Sequence, residues 1–445
     1  MVWVRIFSKL SGGIKVLMKK NKWVRTLRSH PLFDLMYTIE GNAKPLILIE
    51  PLWGIPYNLL APFTTLYMVA MGVTDVQIGL ILSIAMVVQV AFSFMGGIIA
   101  DKLGRRITTM LGDFFGWSIA CFIWAISQNF WFFLIAVLMN SFEQINQTAW
   151  YCLLIEDSKE KDILNIFNWI TIGGLVSVFF APISGLLIGR FSLVPVIRGV
   201  YLSFSITMLL KTIITMRYTK ETRQGAVRRQ ATKGVSVWKL MSEYKQLVPR
   251  IFRNKATVQT LAIMMIVYIT GMINGNFFGL YVNLRLGIPK QYLAFFPILR
   301  AIVMIVFMFA IQHRLERLSL KIPMQVGLVM YVLCQLLLIF SPANQILPVA
   351  LFTLMEAVAN ALVMPRKDAM QAMNVDPAER ARIVALLTAF MIGFSSPFGY
   401  VVGLLSSIDR RLPFVLSSCL YLLAIVVISR FKERKPAMES QISSE

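Results

Sequence analysis

A glutamate, two glutamines and two asparagines interrupt an apolar run at Asn140-Ser-Phe-Glu-Gln-Ile-Asn-Gln-Thr-Ala-Trp150. Asn140, Glu143 and Gln147 stand at i, i+3 and i+7, which on one helix is a single face, with Trp150 nearby. Later in the chain Glu356 and Asn360 repeat the carboxylate-then-amide pattern, and Arg300 stands alone in another apolar stretch. An ionisable group in such surroundings costs on the order of several kcal/mol unless it is hydrated, paired or neutral. The chemistry open to these residues is proton exchange, ion pairing and the holding of a polar solute. Two carboxylates that meet water in turn suit proton coupling or a cationic solute. Arg300 supports two readings, neutralisation of Glu356 or an anchor for an anionic solute. The competing account makes Glu356, Arg300 and Asn360 a structural network and gives Glu143 a helix-packing hydrogen bond.

The elements that must position these groups follow from composition. Of 445 residues, 57% are hydrophobic and 15% charged. Apolar runs long enough to cross roughly 30 Å of hydrocarbon as helices recur along the chain. Helices are the spans expected, because lipid offers backbone groups no partners and the runs lack the alternation of barrel strands. Twelve are predicted, at 46–71, 76–99, 107–127, 130–154, 163–189, 193–216, 256–283, 291–312, 322–340, 346–367, 382–407 and 412–430. The fold class is thus an all-α membrane protein with two six-helix bundles, at 46–216 and 256–430. Around them lie a basic N-terminal segment (1–45), a linker (217–255) with one surface-lying amphipathic helix at Val237–Leu247, and a tail (431–445). No removable signal peptide is expected in the first 45 residues.

The formal charge of +22 invites a nucleic-acid reading, but its distribution argues against one. Most of the 44 basic residues fall in segments on one side of the predicted spans. Only Arg190, Arg198, Arg285, Lys290, Arg410 and Arg411 fall on the other, and Lys211 and Arg300 lie within spans. That asymmetry places both termini in the cytoplasm and anionic lipid at the basic face. Lys211 is expected to snorkel. Cys121, Cys152, Cys334 and Cys419 are isolated within spans, and His30 and His313 lie outside them, so no metal site or cofactor is expected. No nucleotide-binding glycine loop and no interfacial catalytic cluster is present, so neither ATP-driven pumping nor an enzyme is expected.

The two halves echo one another. Leu66–Val73 resembles Leu280–Ile288 after a one-residue gap, Phe180-Ala-Pro182 answers Ser395-Ser-Pro397, and Glu143 answers Glu356. Glu143 lies 13 residues from Glu156, and Glu356 lies 12 from Asp368. At 1.5 Å per residue both glutamates sit about 18–20 Å from that boundary, near the midplane. The echoes favour a parallel duplication with a site between the halves.

Between the second and third spans stands Gly97-Ile-Ile-Ala-Asp101-Lys-Leu-Gly104-Arg105-Arg106. This closely resembles the Gly-x-x-x-Asp-x-x-Gly-Arg-Arg signature of the major facilitator superfamily, at the loop where that family carries it. The resemblance covers residues 46–430, and Glu156–Asp162 is similar to the family's acidic segment before the fifth helix. Gly104 permits a tight reversal and Gly97 a close helix approach, while Arg105 and Arg106 are expected at the headgroups. The resemblance makes Asp101 half of a latch onto a helix N-terminus in the other half. The arginine that many members carry in the fourth helix is missing, and Gln312–Lys321, the counterpart loop, lacks both glycines. Pro182 and Pro397 are read as helix-packing prolines.

The resemblance also implies that helices 1, 4, 7 and 10 line a central cavity, with Glu143 and Glu356 facing one another's half. Trp53, Tyr57, Trp150, Tyr268 and Tyr281 are candidate cavity aromatics, and Glu50 is a secondary proton site, with Asp113 ranked below. The expected protein is a monomeric secondary active transporter of the plasma membrane. It moves a small organic solute by alternating access, with the proton gradient as energy source and export ahead of uptake. The alternatives are an uptake symporter or uniporter for a sugar, metabolite or organic anion, a non-transporting receptor, and a membrane-embedded enzyme.

Overall fold

Apolar runs punctuated by proline and glycine become long helices broken where the backbone loses a partner. The computed structural model describes residues 39, 41–236, 248–310, 320–373 and 380–431. The amphipathic helix expected at Val237–Leu247, His30, His313 and most of Gln312–Lys321 lie outside the described residues. In chain order the helices are α1 (Ala43–Ile49), α2 (Pro51–Leu60), α3 (Thr64–Ala70), α4 (Asp75–Leu103), α5 (Arg105–Ile126), α6 (Phe130–Asn140), α7 (Glu143–Ile155), α8 (Glu160–Val178) and α9 (Ala181–Phe191). There follow α10 (Leu193–Tyr218), α11 (Arg223–Ala231), α12 (Val248–Arg253), α13 (Lys255–Leu280), α14 (Phe295–Ala310), α15 (Lys321–Ile339), α16 (Ile346–Met373), α17 (Arg380–Ile408) and α18 (Leu412–Ser429). No strand occurs among the described residues. The chain is a multi-pass integral membrane protein.

Among the described residues ten helices are long and apolar enough to cross a membrane, or eleven if α1–α2 and α3, bent by 50°, count as one. The expected twelve is therefore not reached on length and apolarity. The segment predicted at 130–154 is two shorter helices, α6 and α7, parted at Ser141-Phe142. No proline causes that break. Ser141 Oγ donates to Val137 O at 3.1 Å, a local bond that competes with helix propagation, and the polar run after Asn140 dilutes the apolar window. Proline causes the other breaks, because it has no N–H to continue the ladder. Pro51 opens α2 one residue after Glu50, and Pro182 opens α9, splitting the fifth predicted span.

The internal echo has a structural basis. The one-residue gap between Leu66–Val73 and Leu280–Ile288 is taken up by a π turn at Tyr281–Arg285, where Leu286 N–H donates to Tyr281 O. A π turn is how a helix absorbs one extra residue. Both segments then end on a left-handed glycine, Gly72 at φ 85° and Gly287 at φ 73°. Tyr67 Oη lies 3.2 Å from Trp124 O, and Tyr281 Oη lies 3.0 Å from Leu338 O, so each ring is tied to the end of a neighbouring helix. Tyr281 is fully buried by this contact and is not a cavity aromatic.

One apolar cluster runs through both halves, with Phe63, Tyr67, Phe133 and Phe204 from the first and Phe277, Tyr281, Phe352 and Phe414 from the second. Trp131, Leu186, Leu347 and Ile408 stand exposed on the outside of the bundle. In water such an apolar exterior would drive association; against hydrocarbon it is the expected face.

Candidate functional site

Two cavities lie between the halves. The larger, about 610 Å³, is walled by α2, α5, α10, α13 and α14. Its volume falls within the roughly 300–1,000 Å³ of small-molecule sites. Tyr57, Trp117, Trp124, Tyr201, Phe278 and Phe296 supply its aromatic surface, and Asn58, Asn140, Asn274, Asn276 and Arg300 its polar groups. The Trp53 and Tyr57 rings stack at 4.8 Å, with Trp117 edge-on to both. The smaller cavity, about 450 Å³, shares Asn276 and adds Gln89, Tyr268 and Lys367. Met86, Met264, Met272, Met364 and Met391 line it, and unbranched methionine adapts to ligands of different shape.

Neither Glu143 nor Glu356 lines either cavity, so the two glutamates do not face one another across the gap. Glu356 is buried at 3% exposure. Its carboxylate accepts from Asn274 Nδ2 at 2.8 Å and from Arg300 Nη2, which covers it. Gln335 Nε2 donates to Asn274 Oδ1 at 3.4 Å, extending the chain into α15. Arg300 therefore does neutralise Glu356. Its side chain nevertheless stays 40% exposed at the cavity wall, and its Nε has no partner. Asn360 is half-buried outside this network, and Asn274 holds the place expected for it. The sequence signal for Asn274 was the amide pair Asn274-Gly-Asn276 within an apolar span.

The break at Ser141 undoes the single face expected of Asn140, Glu143 and Gln147. Asn140, at the end of α6, accepts from Trp124 Nε1 at 2.8 Å and donates to Gly116 O at 2.6 Å. Gly116 lies in a π-helical segment of α5, Phe114–Ile119, whose wider turn leaves carbonyls for outside partners. Glu143 is half-buried and makes no hydrogen bond or ion pair among the described residues. Gln147 is exposed, and Trp150 packs in a separate apolar cluster with Leu46 and Leu153.

Lys211 does not snorkel. It is buried at 4% exposure, with Nζ 3.3 Å from Glu50 Oε2 and 3.9 Å from Asp113 Oδ2. Asn146 Nδ2 donates to Asp113 Oδ1 at 2.7 Å. A side chain long enough to reach water stays inside because two carboxylates hold it there. Gly112 admits this contact, since a Cβ on it would lie 2.3 Å from that of Asn146.

At the end carrying the linker, the glycine–aspartate–arginine motif makes its contacts within the first half and the linker. Asp101 accepts from Arg105 Nη1 at 2.6 Å, and Arg105 Nε reaches Glu156 at 3.2 Å. Arg105 is buried by these bonds, not displayed at the headgroups, and Arg106 Nη2 donates to Met216 O. Asp101 reaches no described helix N-terminus of the other half. Glu221 of the linker takes that role on α5, accepting from Arg105 N–H at 2.8 Å and Arg106 N–H at 3.1 Å. A carboxylate there satisfies orphan donors and complements the helix dipole. Gly97 has no atom within 4 Å of where a Cβ would stand, so the close approach falls instead to Gly96, where a Cβ would lie 3.2 Å from Gln144 O. Gly104 does make the reversal, at φ 95° with Glu221 Oε2 only 2.4 Å from a Cβ position. A Gly104→Ala substitution is expected to destabilise the protein by about 1–3 kcal/mol through that strained backbone. An unchanged thermal midpoint in detergent would show that the loop can rearrange freely.

At the opposite end the halves are sealed by α4 against α17. A Cβ on Gly79 would lie 2.5 Å from Gly399 O and 2.8 Å from Gly403 Cα, so the backbones touch directly. Asp75 accepts from Ser406 Oγ at 2.7 Å and Arg410 Nη2 at 3.2 Å. Pro397 lies within α17, and Ser83 Oγ from the other half enters the ladder just beyond it. That hydroxyl donates to Ser396 O at 2.5 Å and accepts from Tyr400 N–H at 2.7 Å. Beside this seal Gly185, in the helix that Pro182 opens, packs against Gln291 O. The hydrogen bonds of Ser83 and Asp75 thus join the halves at this end.

The sequence matches the family described as Major Facilitator Superfamily over residues 53–355 and 260–445. A Bacillus subtilis (strain 168) protein described as an uncharacterized MFS-type transporter, YqjV, is 31% identical over 164 residues, 35% of this chain and 40% of that one. The multidrug resistance protein MdtG of Serratia proteamaculans (strain 568) is 29% identical over 181 residues, 38% and 42% of the two chains. The match thus spans about two fifths of the length of these relatives. Among solved structures the nucleoside transporter NupG superposes with a TM-score of 0.67 at 16% identity, covering 89% of this chain and 100% of that one. A POT family transporter in complex with 5-aminolevulinic acid gives 0.69 at 12% identity, covering 89% and 98%. At these identities the likeness is one of fold.

Proposed function

The chain belongs to the Major Facilitator Superfamily, and from that premise we propose that it is a secondary active transporter moving a small amphipathic organic solute by alternating access. The observation that carries this reading is a solute-sized cavity between the halves, aromatic on most sides and polar at a few points, with a backbone-tight seal at one end. The asymmetry of basic residues supports a cytoplasmic linker end, and on that reading the sealed end faces outward and the state is an inward-facing one. Solute would enter the cavity from the cytoplasm and leave after the α4–α17 contact opens. Export in exchange for protons is favoured by the aromatic lining, by the methionine-lined second cavity and by relatives named for multidrug resistance. The site of action is the plasma membrane, with anionic lipid at the basic face, and the proton gradient is the energy source. Monomers suffice, since both cavities form within one chain.

Proton coupling is assigned to the first half. Glu356 is matched one to one by Arg300, whereas Glu143 can take up a proton without breaking an ion pair. Glu143→Gln is therefore expected to abolish pH-gradient-driven transport while leaving folding intact. The test begins with a thermal-stabilisation screen of purified protein against solutes at two pH values, since a bound ligand raises apparent stability by mass action. Stabilising solutes then go into liposomes with an imposed proton gradient. Full coupling in Glu143→Gln would remove that residue's role.

A second reading is favoured by the exposure of Arg300 at the cavity wall. In it the solute is an organic anion, taken up with its acidic group on the guanidinium. An Arg300→Ala variant that loses binding of anions but keeps that of cations would decide for an organic anion held by this guanidinium.

A further inference from the structure

The charge ledger of the two halves differs. In the second half one arginine meets one carboxylate. In the first, Lys211 meets both Glu50 and Asp113, and Glu143 is a third acid close enough to act on Asp113 and Lys211. One ammonium cannot neutralise both carboxylates, of which Asp113 is buried and Glu50 mostly so, and the cluster therefore carries either a net negative charge or an additional proton. The first state is disfavoured by desolvation. Two oxygens in the cluster have no hydrogen-bond donor, Asp113 Oδ2 and Asn146 Oδ1, on residues only 1% and 6% exposed, while Glu50 Oε2 faces the Lys211 ammonium at 3.3 Å. An added proton on a carboxylate supplies the missing donor.

We propose that Glu50, Asp113 and Lys211 form a second proton-binding site, whose occupancy controls the break between α1 and α2. This rests on the transport reading above and adds to Glu143 a second place in the first half where a proton is held. Glu50 is the residue between the two helices, immediately before Pro51, and it keeps 14% of its side-chain surface, so it is the member through which a proton enters. When the Glu50 carboxylate takes up the proton, its charge is lost and Lys211 retains Asp113 as sole counter-ion. The clamp between the start of α2 and α10 is released. Tyr57 and Asn58 of the cavity wall lie two turns further along α2, so the release is transmitted to the solute site. Departure of the proton restores the clamp. The charged and titratable described groups facing the cluster are Glu50 from the α1–α2 break, Asp113 from α5, Glu143 from α7 and Lys211 from α10, with Tyr57 of α2 beside Glu143.

The test is infrared difference spectroscopy of the purified full-length protein stepped between pH 8 and pH 5, reading the carboxylic-acid C=O band of buried acids. The wild type is expected to show this band. Glu50→Gln is expected to remove a component, Asp113→Asn to shift it, and Glu356→Gln to leave that component in place. Lys211→Arg, which keeps the charge, guards against loss of folding and is expected to retain it. A band that is absent from the wild type, or that survives Glu50→Gln and Asp113→Asn unchanged, overturns the proposal. A parallel measurement separates this from the transport reading. Wild-type liposomes under an imposed pH gradient are assayed with ethidium and with the solutes found by the stabilisation screen. No movement of any of these, with the band intact, sinks the transport reading and leaves the proton site standing. Coupling lost in Glu143→Gln but complete in Glu50→Gln sinks control by this cluster and leaves the transport reading standing.

Discussion

A Gly79→Leu variant is expected to lose more than 90% of transport and to spend most of its time with the end opposite the linker open. The contact it disturbs is backbone on backbone. A Cβ at Gly79 would stand 2.5 Å from Gly399 O and 2.8 Å from Gly403 Cα, and neither atom can swing away as a flexible side chain could. Three further side-chain carbons beyond that Cβ leave α4 and α17 no course but to separate. Overpacking costs about 1–3 kcal/mol, and each 1.4 kcal/mol is roughly a tenfold change in the balance of two states. A transporter whose two states are nearly balanced is thereby driven almost wholly into one. The measurement is a spin-label distance across this end, between Gln128→Cys and Gln345→Cys, both at exposed positions, with the native cysteines replaced. Longer distances are expected in Gly79→Leu than in the parent. Equal distances and undiminished transport would show that α4 and α17 do not form the seal. Ser83→Ala should act in the same direction more weakly, because it removes a bridging hydroxyl without adding bulk.

The second large effect is an asymmetry within one ion pair. Arg300→Ala is expected to destabilise the protein by about 3 kcal/mol, and Glu356→Gln by about 1 kcal/mol or less. Truncating the arginine strands a carboxylate that is 3% exposed, with Asn274 Nδ2 as its remaining donor. Removing the carboxylate's charge strands a guanidinium that is already 40% exposed and can hydrate at the cavity wall. The wet side of the pair lowers the cost from the usual 3–5 kcal/mol for breaking a buried pair. Thermal unfolding of the purified variants gives the comparison, and the double variant Arg300→Met with Glu356→Leu should recover most of the loss if pairing is the cause. Equal shifts for the two single variants would mean that Glu356 is reached by water independently of Arg300. Binding adds the functional half of the result, since loss of anion binding in Arg300→Ala marks the guanidinium as a solute anchor.

Much of the fold was written in local sequence. The recurring apolar runs, the one-sided basic residues and the Gly97–Arg106 motif require nothing beyond composition and order, because a membrane span is a property of one segment in its solvent. The repeat was legible too: the one-residue gap before Gly287 proved to be a π turn. Proline stands at the breaks at Pro51 and Pro182, although the spans there were expected to be continuous, and no such residue stands at Ser141, where a hydroxyl bonded to Val137 O and the polar run after Asn140 part α6 from α7.

Partnership was decided by tertiary structure alone. The sequence named Glu143, Glu356, Arg300 and Glu50 as polar residues in oil and offered Arg300 as a partner for Glu356 without deciding it, but not that Lys211, read as reaching for the interface, is held inside by Glu50 and Asp113. A charge's cost depends on the few ångströms around it, and those are filled by residues 56 to 161 positions away in the chain. The seal at Gly79 was equally silent, since a glycine shows what the backbone is permitted to approach and never which backbone arrives.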